Sequence, residues 1–174
     1  MAAKPKTLND AFFETLKDVY WAEKQSVRNL KKAAKAAESP ELKQAFERHG
    51  EESSGQVERL EQVFEMIGKG ARTKTCEAMQ GLTAEMQEDQ EDFEGSPAAD
   101  AVLIGAAQAI EHYEIARYGT LKTWAGLLGL NDAAKLLDQT LQEEKKTDDL
   151  LTKIAGKLNV EAKQGEQAQA GGKK

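Results

Sequence analysis

Five glutamates stand where a helix bundle ordinarily carries leucine: Glu23, Glu52, Glu111, Glu114 and Glu144. They fall on four separate helical segments and interrupt otherwise apolar stripes, as Glu114 does between Ile110 and Tyr118. A carboxylate withdrawn from water without a partner is strongly unfavourable, so a group of them converging in one core calls for a cation. Few Lys or Arg residues lie on those stripes to supply it. The simplest cation is a pair of metal ions, and iron and manganese accept carboxylate oxygens that chelate one ion or bridge two.

The four-helix template for such a centre takes one Glu from each of two helices and a Glu-x-x-His from each of the other two. The first half fits this chain and the second does not: Gly55 stands three residues after Glu52, and Thr147 three after Glu144. Four residues on stand Gln56 and Asp148, which joins them to the candidate ligands or to the groups that orient one. The metal set is therefore Glu23, Glu52, Gln56, Glu111, Glu114, Glu144 and Asp148, with His49 as an additional member. His49 lies on the core stripe, where a structural or ligand-orienting histidine is the commoner outcome. His112 is rotated away from the Glu pair, toward surface or interface. Tyr20, Trp21, Tyr113, Tyr118 and Trp124 read as core and interface aromatics, and Cys76 as a small buried hydrophobe. No residue is singled out as catalytic. Against this set stands the plainer possibility that a small helix rotation puts each glutamate in solvent, where most glutamates are.

Four long helices must position these residues. The first is expected over Leu8–Ala37, with Asn9 or Asp10 near its start and a stripe of Phe12, Leu16, Val19, Tyr20, Glu23, Val27 and Leu30. The second is expected from Ser39 as cap and Pro40 at the first helical position to about Met66, its stripe including Leu42, Phe46, His49, Glu52, Gln56 and Leu60. From Lys69 to Ser96 the pattern weakens to one short amphipathic piece, which reads as a crossover with a short helix. The third long helix starts near Ser96-Pro97 and reaches about Leu128; the fourth follows Gly129 and Asn131 and carries Leu137, Leu141, Glu144, Asp148 and Leu151. Tight joints pair the helices into two antiparallel hairpins, and "GEESSGQ" and "QEEKKTD" suggest a pseudo-twofold relation between them. The expected fold is all-α, a four-helix bundle over residues 1–160, followed by a Gln-, Ala-, Gly- and Lys-rich tail, 161–174, expected to be disordered.

Composition is consistent with one soluble domain: 174 residues, 40% hydrophobic and 31% charged. With a net charge of −6 and basic residues dispersed among acids, nucleic acid and anionic membrane are not expected partners. No apolar run approaches a membrane span, and Met1–Leu8 lacks a secretory signal, so a cytoplasmic location is expected. A single cysteine, Cys76, forms no intrachain disulfide and no cysteine metal cluster.

The segments "DVYWAEKQ", "HGEESSGQVERLEQVFE", "IEHYEIARYGTL" and "TLQEEKKTDDLL" resemble the YciE/YciF family of bacterial stress-associated proteins, in order and over roughly residues 8–158. The resemblance implies a ferritin-like bundle with a short extra helix, a homodimer, and a dinuclear metal site similar to that of rubrerythrins. Rubrerythrin-like sites use a Glu pair three apart on the third long helix, which Glu111 and Glu114 match. The expected function is a stress-defence protein with an iron or manganese pair, consuming peroxide or oxygen. The competing expectation is a stress-induced structural or interaction dimer whose site is vestigial, which the missing Glu-x-x-His motifs favour. Iron storage needs a closed cage, and this crossover is unlike that of a cage-forming subunit.

Overall fold

A computed structural model of the chain describes residues 5–171. All of its regular structure is helical: α1 Leu8–Ala36, α2 Pro40–Met66, α3 Glu77–Asp92, α4 Ala99–Leu127 and α5 Asn131–Gly171. The helix starts follow local chemistry. Thr7 caps α1 with Asp10 in its first turn: the Thr7 hydroxyl accepts from the Asp10 N–H at 3.3 Å, and Asp10 Oδ2 accepts from the Thr7 N–H at 2.8 Å. Ser39 caps α2 with Pro40 behind it, as its sequence predicts. α2 and α4 both close on left-handed glycines, Gly68 at φ 66° and Gly129 at φ 75°, a conformation only glycine adopts without strain.

α1 packs on α2 and α4 on α5, while α2 meets α5 and α1 meets α4. Asp100, in the first turn of α4, accepts from the backbone N–H groups of Glu38 and Ser39 at the start of α2, at 2.9 and 2.7 Å. Those bonds place the two helix starts at one end of the bundle, so α2 and α4 run parallel and the crossover containing α3 makes the return. α3 lies against α4 and α1, held by its two buried side chains, Met79 and Met86.

α5 departs from expectation. It stays helical to Gly171, well beyond Leu158 and into the segment expected to be a disordered tail. Ala155, Leu158 and Ala162 continue its buried face at helical spacing, and Gln, Glu, Lys and Ala are strong helix formers. Gly165 then passes so close to Pro97 that a Cβ there would lie 2.8 Å from the proline Cβ. Residues 172–174 lie outside the described residues.

The apolar core is split into two clusters. One is built around Leu42, Phe46, Leu103, Ile104 and Leu151, the other around Leu16, Leu60, Phe64, Tyr118 and Leu137. Each fully buried leucine contributes about 1.5–3 kcal/mol of burial free energy, so both clusters are strong clamps. All four long helices pass from one cluster to the other at the same level, and at that level their buried residues turn polar.

Candidate metal centre

The polar layer takes Glu23 and Ser26 from α1, His49, Ser53 and Gln56 from α2, Glu111 and Glu114 from α4, and Glu144 and Thr147 from α5, all buried. Within it, one ligand atom from each of His49, Glu111, Glu114 and Glu144 lies within 4.8 Å of the others. His49 is central. Its Nε2 is 3.1 Å from Glu111 Oε1 and 3.5 Å from Glu144 Oε2. On its other side Nδ1 is 3.1 Å from Thr147 Oγ1 and 3.6 Å from Glu52 Oε2.

Two of the carboxylates are anchored through one oxygen. Tyr118 Oη donates to Glu23 Oε2 at 2.6 Å, and Ser26 Oγ donates to Glu114 Oε1 at 2.8 Å. The remaining oxygens, Glu23 Oε1, Glu114 Oε2 and Glu111 Oε2, have no hydrogen-bond partner in the protein, and neither oxygen of Glu144 has one. Anchoring one oxygen fixes the carboxylate's orientation while the other remains available, which is how groups beyond the ligands orient a metal-binding carboxylate.

The electrostatics follow from that crowding. Burial pushes Glu23 up to about 7, against the opposing pull of the Tyr118 hydrogen bond and of His49. Burial, reinforced by neighbouring carboxylates, raises Glu114 and Glu144 well above the usual carboxylate range. For His49 burial disfavours the charged ring, yet Glu111, Glu52 and Glu144 together hold its pKa well above the ordinary value. Burial likewise keeps the Tyr118 phenol protonated, with the Glu23 carboxylate next in importance. Metal-free, the layer is a set of buried acids that must retain protons or bury charge.

The donor set could hold a metal ion: three carboxylates and an imidazole lie within reach of one another, with Glu23 beside them and several oxygens lacking partners. Of the sequence-predicted residues, Glu111, Glu114 and Glu144 converge with His49. Glu23 lies in the same layer. Glu52 does not converge: its side chain is 31% exposed and turns to the rim, where Arg48 Nε binds it at 3.2 Å. Asp148 lies on the outer seam between α4 and α5, accepting from Gln108 Nε2 at 3.0 Å and facing the exposed His112 at 3.1 Å. Gln56 is buried, but its amide N–H donates to Glu143 at 3.2 Å, and its oxygen has no partner.

The supporting groups were less visible in the sequence. Arg59 holds Glu143 through its two terminal guanidinium nitrogens, each at 2.8 Å, and reaches Thr140 at 2.6 Å; Glu143 in turn orients Gln56. Ser26, Ser53 and Thr147 are small hydroxyls on the core stripe three or four residues from Glu23, His49 and Glu144. That spacing is the signal that could have found them.

Comparison with known proteins agrees with this architecture. Protein YciF of Escherichia coli strain K12 is 51% identical over 152 residues, spanning 86% of this chain and 91% of its own. The crystal structure of the E. coli stress protein YciF superposes with a TM-score of 0.85 at 48% identity, covering 88% of this chain and 98% of that one. YcfI from Rhodopseudomonas palustris superposes with a TM-score of 0.83 at 38% identity, covering 87% and 97%. Residues 7–164 match the family model described as a domain of unknown function, DUF892, and the chain belongs to that family.

Proposed function

We propose that the polar layer binds two iron or manganese ions, and that the protein serves stress defence by consuming a small oxidant, peroxide or oxygen, as rubrerythrin-like proteins do. The observation that carries the reading is the set of partnerless carboxylate oxygens on Glu23, Glu111, Glu114 and Glu144, all buried. Kinship with a protein named for stress supports the physiological half. A reduced metal pair, when bound, supplies the two electrons that cleave an O–O bond. The chain's own residues do the rest. Tyr118 and Ser26 orient Glu23 and Glu114, Thr147 fixes the His49 ring, and the two apolar clusters flank the layer on either side. No cysteine cluster is present to pass electrons, so the reducing equivalents come from a separate donor. A ferritin-like subunit acting as a cytoplasmic homodimer belongs to the same reading.

One observation favours a second reading. His49 occupies the middle of the carboxylates and is itself the cation nearest to them. A protonated imidazole with retained carboxyl protons makes a structural polar core without metal, and YcfI is described as a candidate structural protein. Elemental analysis of protein purified without chelators separates the two. About two metal ions per chain, with a melting midpoint raised by added Fe(II) or Mn(II) in the native protein and not in a Glu23→Ala, Glu144→Ala variant, support the metal reading. Equal midpoint shifts in both proteins overturn it.

A further inference from the structure

We infer that the small cavity between α1, α3 and α4 is the ligand chamber of this centre, taking a neutral ligand of one or two non-hydrogen atoms, and that Met86 sets its size limit. The inference rests on the metal-binding reading above. The cavity measures about 10 Å³, the room for roughly one water molecule. His49, Glu111 and Glu114 line it, so it opens onto the proposed ligands, and Glu111 Oε2 and Glu114 Oε2 are among the buried oxygens without a partner. Leu30, Ile110 and Met86 supply apolar walls. Asn29 is the one half-buried residue of the lining and marks the way to solvent.

Charge and size both restrict the occupant. No Lys or Arg lines the cavity, two carboxylates do, and the His49 ring that also lines it is already engaged by Glu111 and Glu144, so an anion would be desolvated against negative neighbours with no free cation to receive it. Arg48 and Lys146 lie instead in a separate polar cleft of about 200 Å³ on the other side of His49, between α2 and α5. Met86 is the wall that can give way. It projects from the short crossover helix, whose only other buried side chain is Met79, and an unbranched thioether adapts its shape more readily than the branched Leu30 and Ile110. The crossover helix thereby becomes part of the site.

Nitric oxide and nitrosobenzene bind ferrous iron through the same nitrogen donor and differ in bulk. The test loads the full-length protein with Fe(II) without oxygen, measures iron content, and follows each ligand by electron paramagnetic resonance and visible absorbance. The native protein is expected to bind nitric oxide and to bind nitrosobenzene far more weakly. Met86→Ala should tighten nitrosobenzene about tenfold or more while leaving nitric oxide nearly unchanged, and Met86→Phe should weaken nitric oxide about tenfold, with iron content constant. If Met86→Phe fails to fold, Met86→Ala decides alone. Iron held with equal binding of both ligands by the native protein, or with an unchanged ratio in Met86→Ala, overturns the chamber and leaves the metal reading standing. Iron not held at all overturns the metal reading, and the chamber with it.

Discussion

Replacing Glu23 by Gln should stabilise the metal-free protein at pH 8 while weakening its response to metal. Glu23 is completely buried; Tyr118 holds one of its oxygens at 2.6 Å, and the other has no partner. The amide of Gln still offers an oxygen to Tyr118 and carries no charge. In the folded chain the carboxyl is pushed from 4.5 to about 7. A carboxyl raised on folding binds its proton more firmly in the native state, so below 4.5 it carries no penalty, and as pH rises from 4.5 to about 7 stability is progressively lost. Between those two values the loss sums to about 3 kcal/mol, at 1.36 kcal/mol for each pH interval of one.

For a domain of this size, about 3 kcal/mol corresponds to a midpoint change of roughly 6–12 °C. Calorimetry with chelator present should therefore find the Glu23→Gln protein more heat-stable than the native protein at pH 8, and the advantage should fade toward pH 4.5. With Mn(II) at about 100 times its dissociation constant the native protein should recover about 2.7 kcal/mol through ligation, and the variant much less. A variant less stable than the native protein at pH 8 without metal, or an advantage independent of pH, would refute the claim that an unpaired buried carboxylate is being carried there.

Three further changes probe the frame around the layer. Tyr118→Phe strips the donor from Glu23 Oε2 and should cost about 2 kcal/mol in urea denaturation, together with about a tenfold loss of metal affinity by calorimetric titration. A double-mutant cycle on Arg59→Met and Glu143→Gln should return a coupling of about 1–2 kcal/mol, because the pair is bidentate and only slightly exposed; additive single effects would contradict that. Gly129→Ala forces a Cβ onto a backbone at φ 75° between α4 and α5 and should cost about 1 kcal/mol, read by the same denaturation experiment.

The long-helix starts and the level of the site were legible because the apolar stripes are regular and turn polar at one level. The rotation of two of the candidate residues, Glu52 and Asp148, was not. Each residue turns an α-helix by about 100°, so neighbours on one helix face different environments. On α2 the buried series is Leu42, Phe46, His49, Ser53, Gln56, Leu60, steps of four and three that pass through Ser53 and leave Glu52 at the rim. On α5 the buried series passes through Glu144, Thr147 and Leu151, and Asp148 falls on the seam. In both helices a carboxylate beside a small hydroxyl attracted the assignment, although the hydroxyl is what fits a crowded layer. The same arithmetic explains why His49, one turn before Ser53, holds the centre. The helical reach of α5 was hidden by its polarity, since helix propensity and the buried Leu158 and Ala162 outweigh the Gln-rich composition.

The arrangement of the layer bears on what it is for. If these helices needed only to pack, leucine at the four glutamate positions would join the two apolar clusters into one continuous core at a lower free energy, as hydrophobic replacements of buried ion pairs often do. If they needed only a polar network to set helix register, each carboxylate would end with its oxygens satisfied. Neither holds here. Glu23 and Glu114 are each fixed through one oxygen and left bare at the other, Glu111 faces His49 with one oxygen and leaves its second unpartnered, and Glu144 lacks a hydrogen bond altogether. The flanking clusters hold the four helices in register without help from the layer, so the carboxylates are brought together before any cation arrives. A scaffold that carries this cost in its resting state and keeps free oxygens pointing to a common level has the properties of a preorganised binding site.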